Sequence, residues 1–503
     1  MLAAVPLLTS ILSSSLLHVA LLAVTALALV LGVAWYVFCQ WLHPERLLVD
    51  LPCVDKAAMQ KAAGVEKTED KILVVGAGLG GLGCAAALVR RGIPFDIVDG
   101  NEDIGGNWLN GVYDNVHIIS SRVTTEYKDF PMPAHYPEFP SKQQMHSYLK
   151  SYAAHWGILP KVQLNTQVRK IVPDDEQGNS YTVTVEKEGG EPQKHTYKGV
   201  YVCTGHHRNR RWPKLNGTFT GELIHSKDYK SPEQLKGKRV LVLGAGNSAC
   251  DVNADAAQAA EEAHASLRRG HWFMPRVVGG KPVIEYNPPW WPHWLTKFMV
   301  KRALRVCVGD YRLYGLPVPD HDIYELHPTI NSSFLHYLKL GKIKPHPGIQ
   351  SVDGKEVTFV DGQTITVDLI VCATGYHNNF PMCEPTLTYT EQGTPNVIEG
   401  AVVPGKKNYF VFGTQQPRYG AGPLVTQGAE LMAEFVRVQP QCKRPVGDIL
   451  LKLGAVEMAH TPNKLTPDLL LDPYPYYRKL AIGTAIMPMV PRFERIMETL
   501  RLI

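Results

Sequence analysis

Two glycine-rich sequences constrain the fold of this chain more than any other feature. The sequences are GAGLGG at residues 76–81 and GAGNSA at 244–249, and each follows a short apolar run that predicts a buried strand. A loop of this kind, between a strand and a helix, sets the helix N-terminus against the pyrophosphate of a dinucleotide. We therefore predict an α/β fold with two Rossmann-like dinucleotide-binding domains.

The first loop has a glycine at each position where the backbone needs one. Gly76 permits the tight turn, Gly78 and Gly80 let the backbone approach the pyrophosphate, and Gly81 lets the helix pack closely on the strand. Asp99 ends the second predicted strand, about twenty residues later, and is placed to accept hydrogen bonds from a ribose. The first nucleotide should then lack a phosphate on that hydroxyl, which FAD and NAD both satisfy.

The second loop predicts a different nucleotide. Its candidate cofactor-binding residues are Gly244, Gly246, Asn247, Ser248, Ala249 and Asp251. No acid follows its second strand; instead Arg268 and Arg269 stand where cationic side chains pair with the 2′-phosphate of NADP. A solvated basic pair is the alternative. The cofactor pair becomes FAD and NADPH.

Composition excludes several classes of protein. The chain has 503 residues, 45% hydrophobic and 20% charged, which is ordinary for a globular protein of two or three domains. The net charge of +5 is small and its basic residues are scattered, so we predict no nucleic-acid partner. The nine cysteines contain no C-x-x-C pair and the 19 histidines show no metal spacing, so we predict neither a disulfide framework nor a metal site.

The N-terminal segment predicts a membrane anchor over residues 1–45. Residues 1–44 contain no Asp, Glu, Lys or Arg, and Leu16 to Leu42 are almost wholly apolar, long enough to span a bilayer. The span is followed by basic residues, Arg46, Lys56 and Lys61, which favour a single-pass transmembrane helix with the catalytic body in the cytosol. In a eukaryote, we expect the membrane to be that of the endoplasmic reticulum. A cleaved secretory signal with a luminal enzyme is the alternative.

The soluble body divides into two interleaved units. We predict a first dinucleotide domain at 66–215 and 346–445, with the second dinucleotide domain inserted at 216–345, because the apolar run at 369–372 leads into a further glycine turn. Residues 446–503 form a C-terminal helical segment, for which membrane association is an open alternative. The loop at 287–294 and the amphipathic helix at 295–306 could contact the membrane, line a substrate entrance, or pack aromatic side chains between domains.

Further motifs resemble one enzyme family. The spacing F-x-G-x-x-x-H-x-x-x-Y from Phe219 to Tyr229 resembles the fingerprint of the flavin-containing monooxygenases, the class B flavoprotein monooxygenases. The sequences GGNW at 105–108, DFPMP at 129–133 and ATGY at 373–376 are similar to the same family. The resemblance runs from about residue 70 to 440 and does not cover the anchor, since animal members are typically held to the membrane at the C-terminus.

The resemblance implies a reaction. NADPH would pass hydride to FAD, the reduced flavin would add O2 as a C4a-hydroperoxide, and one oxygen atom would enter a nitrogen or sulfur atom of a small lipophilic substrate. The implied cofactor-binding residues are Gly106, Asn107, Trp108, Ile119, Ser120, Thr374 and Gly375, and the candidate catalytic residues are Ser120, Arg122, His225 and Tyr229. His225 could act as a general acid or as an orienting or hinge residue.

Ile119 departs from the family pattern. Animal members have an asparagine at this position, near flavin and nicotinamide, and an isoleucine side chain cannot donate a hydrogen bond. We therefore predict elevated peroxide leakage, unless the neighbouring Ser120, Ser121 and Arg122 substitute for the missing amide.

Other reaction classes stay open at this stage. Within the family they are Baeyer-Villiger insertion and the oxidative decarboxylation of plant auxin-forming relatives. Outside it, the chain could be a low-turnover NADPH oxidase or redox-sensing flavoprotein. Disulfide reductase chemistry is excluded, because it needs a thiol pair beside the flavin.

Overall fold

The structure is a computed structural model. It describes residues 51, 53–54, 56–286, 293–391, 393–417, 420–456, 458, 469–471 and 473–501. The predicted anchor at 1–45 and most of the predicted loop at 287–294 lie outside these described residues.

Eleven helices are described. They are α1 (Lys56–Ala63), α2 (Leu79–Arg90), α3 (Arg122–Thr125), α4 (Lys142–His155), α5 (Asn247–Ala259), α6 (His293–Cys307), α7 (Ser333–Lys339), α8 (Gly422–Val438), α9 (Val446–Lys452), α10 (Pro473–Ile486) and α11 (Val490–Thr499). None of these helices is both long enough and apolar enough to cross a bilayer.

Twenty-five strands are described, and most of them fall in two long runs with no α-helix in between. They are β1 (Ile72–Val75), β2 (Phe95–Val98), β3 (Val162–Gln163), β4 (Thr166–Pro173), β5 (Tyr181–Lys187), β6 (Gln193–Tyr197), β7 (Gly199–Val202), β8 (Asn209–Arg210), β9 (Gly217–Phe219), β10 (Glu222–His225), β11 (Arg239–Leu243), β12 (Glu262–Ser266), β13 (Phe273–Met274), β14 (Val277–Val278), β15 (Lys281–Pro282), β16 (Thr329–Ile330), β17 (Lys344–His346), β18 (Ile349–Gly354), β19 (Glu356–Phe359), β20 (Thr364–Thr366), β21 (Leu369–Cys372), β22 (Tyr376–His377), β23 (Tyr409–Val411), β24 (Gln415–Pro417) and β25 (Leu469–Leu471).

The first sheet is parallel and has the strand order β23-β7-β1-β2-β3. All four residues of β1 are buried, because both faces of the sheet are covered. Ile72 and Val74 pack with helices α2, α4 and α8 on one face. Leu73 and Val75 pack on the other face against the antiparallel sheet β4-β5-β6. Burial on both faces explains why the strand is an uninterrupted apolar run.

The second sheet repeats this arrangement with the order β10-β21-β11-β12-β17, again all parallel. Val240 and Val242 of β11 pack with α5 and α7. Leu241 and Leu243 pack against the smaller sheet β20-β19-β18-β9. The two glycine loops thus follow the central β1 and a central strand of the second sheet, as the sequence predicts.

One strand lies in a different sheet from the one we predicted. The division at residue 346 assigned the run at 369–372 to the first domain, but β21 pairs with β10 and β11 in the second sheet. The chain returns to the first sheet only at β23. The composition of a fully buried parallel strand does not encode its partner, so the apolar run alone could not decide between the sheets.

Candidate functional site

The first glycine loop turns directly into α2. Gly76 has φ of +104°, and a Cβ there would lie 2.6 Å from the carbonyl oxygen of Cys203 on the neighbouring chain segment. A Cβ at Gly81 would lie 1.8 Å from the carbonyl oxygen of Gly76. Both positions therefore accept only glycine. Gly78 is the N-cap of α2 and has no side chain to cap it, so the first N–H groups of the helix are available to an anion.

Asp99 is held at the end of β2 beside this loop. Its Oδ2 accepts a hydrogen bond from the Ala77 N–H at 2.7 Å, and its Oδ1 accepts from the backbone and side-chain amides of Asn101 at 2.9 and 2.8 Å. The carboxylate is only 6% exposed and lies on the wall of a cavity. Since an ionised carboxylate has about four acceptor positions, one remains for a ligand hydroxyl.

A cavity of about 520 Å³ lies against the first loop. This volume is in the range of sites for small molecules and cofactors. Gly76, Gly78, Gly80, Asp99, Gly106, Asn107 and Trp108, all predicted from the sequence, are among its lining residues. It occupies the edge of the first sheet where the carboxyl ends of the parallel strands meet, which is the ligand-binding edge of such sheets.

The sequence analysis missed part of this lining. The additional residues are Gly100, Asn101, Thr166–Val168, Thr204–Arg208, Lys227, Phe412, Gly413 and Gln415. Most of them directly follow β2, β7 and β23 or begin β4. The carboxyl ends of β7 and β23 could have indicated them, but only once both runs had been assigned to the first sheet.

The Gly106–Trp108 turn connects the two halves of the molecule. Gly105 and Gly106 both have positive φ, and a Cβ at Gly78 would lie 3.5 Å from the Gly106 Cα. Trp108 lines the cavity and packs against buried residues of both the first and the second sheet. Its ring therefore lies where the two nucleotide domains meet.

The second loop has the same geometry as the first. Gly244 has φ of +129°, and a Cβ there would lie 2.4 Å from the Ala373 carbonyl oxygen. Gly246 is the N-cap of α5, and a Cβ there would meet no atom within 4 Å. The Asn247 side chain is held by its Oδ1, which accepts from the Ile330 N–H at 2.9 Å. Ala249 is buried.

Arg268 and Arg269 follow β12, the strand that pairs with β11 in parallel. They therefore lie at the same edge of the second sheet as the second loop. The Arg268 side chain is exposed and Arg269 is half-buried. Within the described part of the chain, neither guanidinium forms an ion pair, so both are available to an anion.

Asp251 on α5 bonds to protein groups. Its Oδ2 accepts from the Tyr113 hydroxyl at 2.6 Å, and its Oδ1 accepts from the Asn331 side-chain amide at 2.6 Å. Arg276 lies 3.4 Å from the same carboxylate. Burial raises the pKa of this carboxyl, against the opposing effect of Arg276. Its carboxylate joins the segment after Trp108 to α5, and its contact with the cofactor stays a prediction.

His225 ends β10 and is fully buried. The ring lies with its Nε2 3.1 Å from the Gly375 carbonyl oxygen, and its Nδ1 accepts from the Lys227 N–H at 3.2 Å. Burial lowers its pKa below the ordinary value, so the ring is neutral at pH 7. This geometry matches the orienting alternative: His225 holds the turn at Thr374 and Gly375, whose Thr374 hydroxyl donates to the Arg211 carbonyl oxygen at 2.5 Å.

Tyr229 is also buried and is not part of the cavity lining. Its hydroxyl donates to Asp255 Oδ2 at 2.7 Å, and its ring lies 5.8 Å from that of Tyr113. The sequence offered it as a catalytic candidate. In the structure it fixes the interdomain linker onto α5, and a catalytic role for it stays a prediction.

Ile119, Ser120 and Arg122 lie just before and within α3, outside the cavity lining. Ile119 packs with an apolar cluster that includes Ile330, the residue whose N–H bonds to Asn247. The Ser120 hydroxyl lies 2.6 Å from that of Thr125. Ile119 therefore lies near the second loop.

No group of three His, Cys, Asp or Glu side chains that could hold a metal occurs among the residues with described positions.

Comparison with known proteins agrees with this geometry. A family described as flavin-binding monooxygenase-like matches residues 69–404. The chain is 33% identical over 340 residues to probable indole-3-pyruvate monooxygenase YUCCA8 of Arabidopsis thaliana, covering 65% of this chain and 79% of that protein. It is 30% identical over 344 residues to flavin-containing monooxygenase 5 of Homo sapiens, covering 64% of each. The crystal structure of OTEMO with FAD and NADP has the same fold, with a TM-score of 0.60 at 17% identity over 75% of this chain and 85% of that one.

Proposed function

The chain belongs to the flavin-binding monooxygenase-like family and is an FAD- and NADPH-dependent monooxygenase, and we propose that it inserts one oxygen atom of O2 into a nitrogen or sulfur atom of a small lipophilic substrate. The observation that carries the proposal is the position of Trp108, on the wall of the first cavity and between the two nucleotide domains. Two cofactors that exchange a hydride with one another need such a meeting point.

The residues at the first loop fit FAD. The uncapped N-terminus of α2 would bind the pyrophosphate, and Asp99 would accept a ribose hydroxyl. A Cβ at Gly106 would lie 3.0 Å from the Gly78 Cα, so side chains at these two glycines would push apart the two backbone segments that line the cavity. Bound FAD supplies the oxygen chemistry, and the chain supplies binding, orientation and the exclusion of water.

The residues at the second loop fit NADPH. The N-terminus of α5 would bind its pyrophosphate, while Arg268 and Arg269 would pair with the 2′-phosphate. The hydride-carrying ring would then extend toward the segment that includes Ile119 and Trp108.

The cavity at the first loop has an apolar wall formed by Phe412, Leu424 and Val425, which limits access of water to the reacting atoms.

The membrane location is part of the same proposal. The uncharged, apolar sequence at 1–44 supports a single-pass anchor, and the basic residues after it support a cytosolic body, at the endoplasmic reticulum in a eukaryote. A lipophilic substrate would reach such an enzyme through the bilayer.

Carbon oxygenation is the second candidate function. It is favoured by the 33% identity to a relative named as an indole-3-pyruvate monooxygenase. Under this alternative the substrate would be a ketone or a 2-oxo acid in place of an amine or thioether.

One experiment tests both candidates. The full chain is purified in detergent with FAD, NADPH is added in air, and amines, thioethers, ketones and 2-oxo acids are screened by product mass while NADPH and O2 consumption are recorded. We expect a product heavier by one oxygen from an amine or thioether, with 18O from labelled O2. A decarboxylated or ester product only from carbonyl substrates would favour the second candidate. NADPH oxidation to peroxide alone, with no oxygenated product from any of these substrates, would contradict both candidate functions.

A further inference from the structure

Helix α6 (His293–Cys307) has two faces of different kinds. Its inner face is the row Thr296, Val300 and Leu304, which packs on the apolar cluster that also contains Ile119. Because residues four apart lie along one side of a helix, the row 294, 298, 302 and 306 lies on the opposite side. On a surface helix this outer side is ordinarily polar.

The outer row of α6 is instead largely apolar and uncovered. Trp294 is 69% exposed, Phe298 49% and Val306 86%, and Met299 beside them is 42% exposed. Large apolar side chains grouped on one exposed helix face mark an interaction surface, whereas single exposed ones do not. We call this row, Trp294, Phe298, Arg302 and Val306, the outer stripe.

Basic side chains border the outer stripe. Arg302 lies over the Phe298 ring at 5.2 Å, and Lys301 and Arg305 are exposed on either side of it. Lys297 and Lys301 share Asp322. Among the described residues, neither Arg302 nor Arg305 lies within ion-pair distance of an acidic side chain, and the charge of Arg305 reaches Asp310 only from farther away. Aromatic and apolar side chains bordered by unpaired cations are the composition of helices that lie in the interface of an anionic membrane.

We propose that the outer stripe lies on an anionic phospholipid surface and is a second membrane contact of this chain. The inference rests on the membrane location given under the proposed function. A second copy of this chain is a poorer partner than lipid, because Arg302 and Arg305 of one copy would repel the same side chains of the other. Phosphate headgroups would neutralise these charges. An anchor at one point leaves the body free to rotate, and the stripe fixes its orientation on the bilayer.

The test places an environment-sensitive fluorophore on the stripe. The full chain, with Cys39, Cys53 and Cys307 replaced by serine, carries either Phe298→Cys or, as the matched control, Val360→Cys, a large apolar residue that is 64% exposed on a distant hairpin. Both are labelled with NBD and reconstituted in nanodiscs of phosphatidylcholine with or without phosphatidylserine. Quenching by headgroup nitroxides is measured.

We expect the residue 298 label to be quenched roughly twofold or more over the residue 360 label in phosphatidylserine discs. The double variant Arg302→Glu with Arg305→Glu should abolish this excess quenching, and high salt should reduce it in part. Equal quenching of the two labels would overturn the proposal. A blue-shifted residue 298 label without quenching, together with two copies per disc, would overturn it in favour of a protein contact.

Two controls separate this proposal from those it rests on. Carbonate extraction of the wild type tests the anchor alone; extraction into the supernatant would overturn the anchor while excess quenching at residue 298 still supported the stripe. Product formation in detergent by Trp294→Ser with Phe298→Ser should equal that of the wild type, because neither residue lines the cavity. Absence of oxygenation by any variant would contradict the enzymatic proposal and leave the quenching result standing.

Discussion

Arg268 and Arg269 decide which nicotinamide nucleotide the second loop accepts. Replacing both with alanine removes the only cations we assign to the 2′-phosphate, each worth about 1.5–3 kcal/mol as a charge-assisted hydrogen bond. We expect the KM for NADPH to rise about 100-fold or more, with the KM for NADH unchanged. Steady-state NADPH oxidation measures both. Arg312→Ala is the control, since Arg312 is exposed and paired with Asp310; an equal loss in that variant would contradict the assignment.

Ile119 is the second side chain with its own prediction. It packs beside Ile330 next to the second loop, where an asparagine amide could bond to the nicotinamide but an isoleucine cannot. We expect Ile119→Asn to lower the peroxide formed per NADPH consumed, and Ile119→Val to leave it unchanged. Peroxide is measured with and without catalase in an oxygen electrode. A peroxide yield that is the same in all three proteins would contradict the prediction.

Helices α2 and α8 are joined by a buried network of charges that supports the cavity walls. Arg90 lies 2.6 Å from Asp129 and 2.5 Å from Glu430, and Arg91 pairs with Glu430 and Glu434. Trp156 also donates to Asp129. Asp129→Asn would leave Arg90 partly unpaired at 2% exposure, so we expect a loss of about 3–5 kcal/mol in the free energy of unfolding. Thermal unfolding followed by flavin fluorescence should show earlier release of FAD.

The control for that network is an ion pair on the surface. Arg169 and Glu186 are joined across two antiparallel strands but are 51% and 32% exposed. Glu186→Gln should therefore leave the unfolding temperature nearly unchanged, because solvent screens an exposed ion pair. If Asp129→Asn unfolded at the same temperature as Glu186→Gln, the network would not support the cavity.

The sequence predicted most of the fold and about half of the site, and the division has a physical basis. The two glycine loops and Asp99 carry local signals, because their backbone geometry admits few residue types. The sheet of β21 and the lining at 204–208 depend on which strands pair across long stretches of chain, and an apolar run does not specify its partner. The interior position of Tyr229 has the same origin.

The second domain as a whole should lose stability in mild acid. Burial lowers the pKa of His225, His264 and His346, and that of His271 to about 3. Each folded-state pKa lies below the unfolded value of about 6.5, so the unfolded chain binds more protons than the folded chain below that pH. The free energy of unfolding is therefore highest above about pH 6.5 and falls as the pH drops below it. Between pH 7.5 and 5.5 His271 contributes a loss of about 1.4 kcal/mol, because its folded-state pKa lies below this range.

His271 gives the sharpest measurement of this effect, because burial lowers its pKa to about 3. It also lies away from the cavity lining. His271→Gln cannot take up a proton in either state, so the difference in unfolding midpoint between pH 7.5 and 5.5 should shrink relative to the wild type. The range from pH 7.5 to 5.5 lies above the usual pKa values of carboxyl groups, so most of them do not change charge within it. The control is His195→Gln on the edge strand β6 of the first domain, which should keep the wild-type difference. An unchanged difference in His271→Gln would mean that the ring takes up its proton equally in the folded and unfolded states, and the stability of the second domain would then have to fall with acid for another reason.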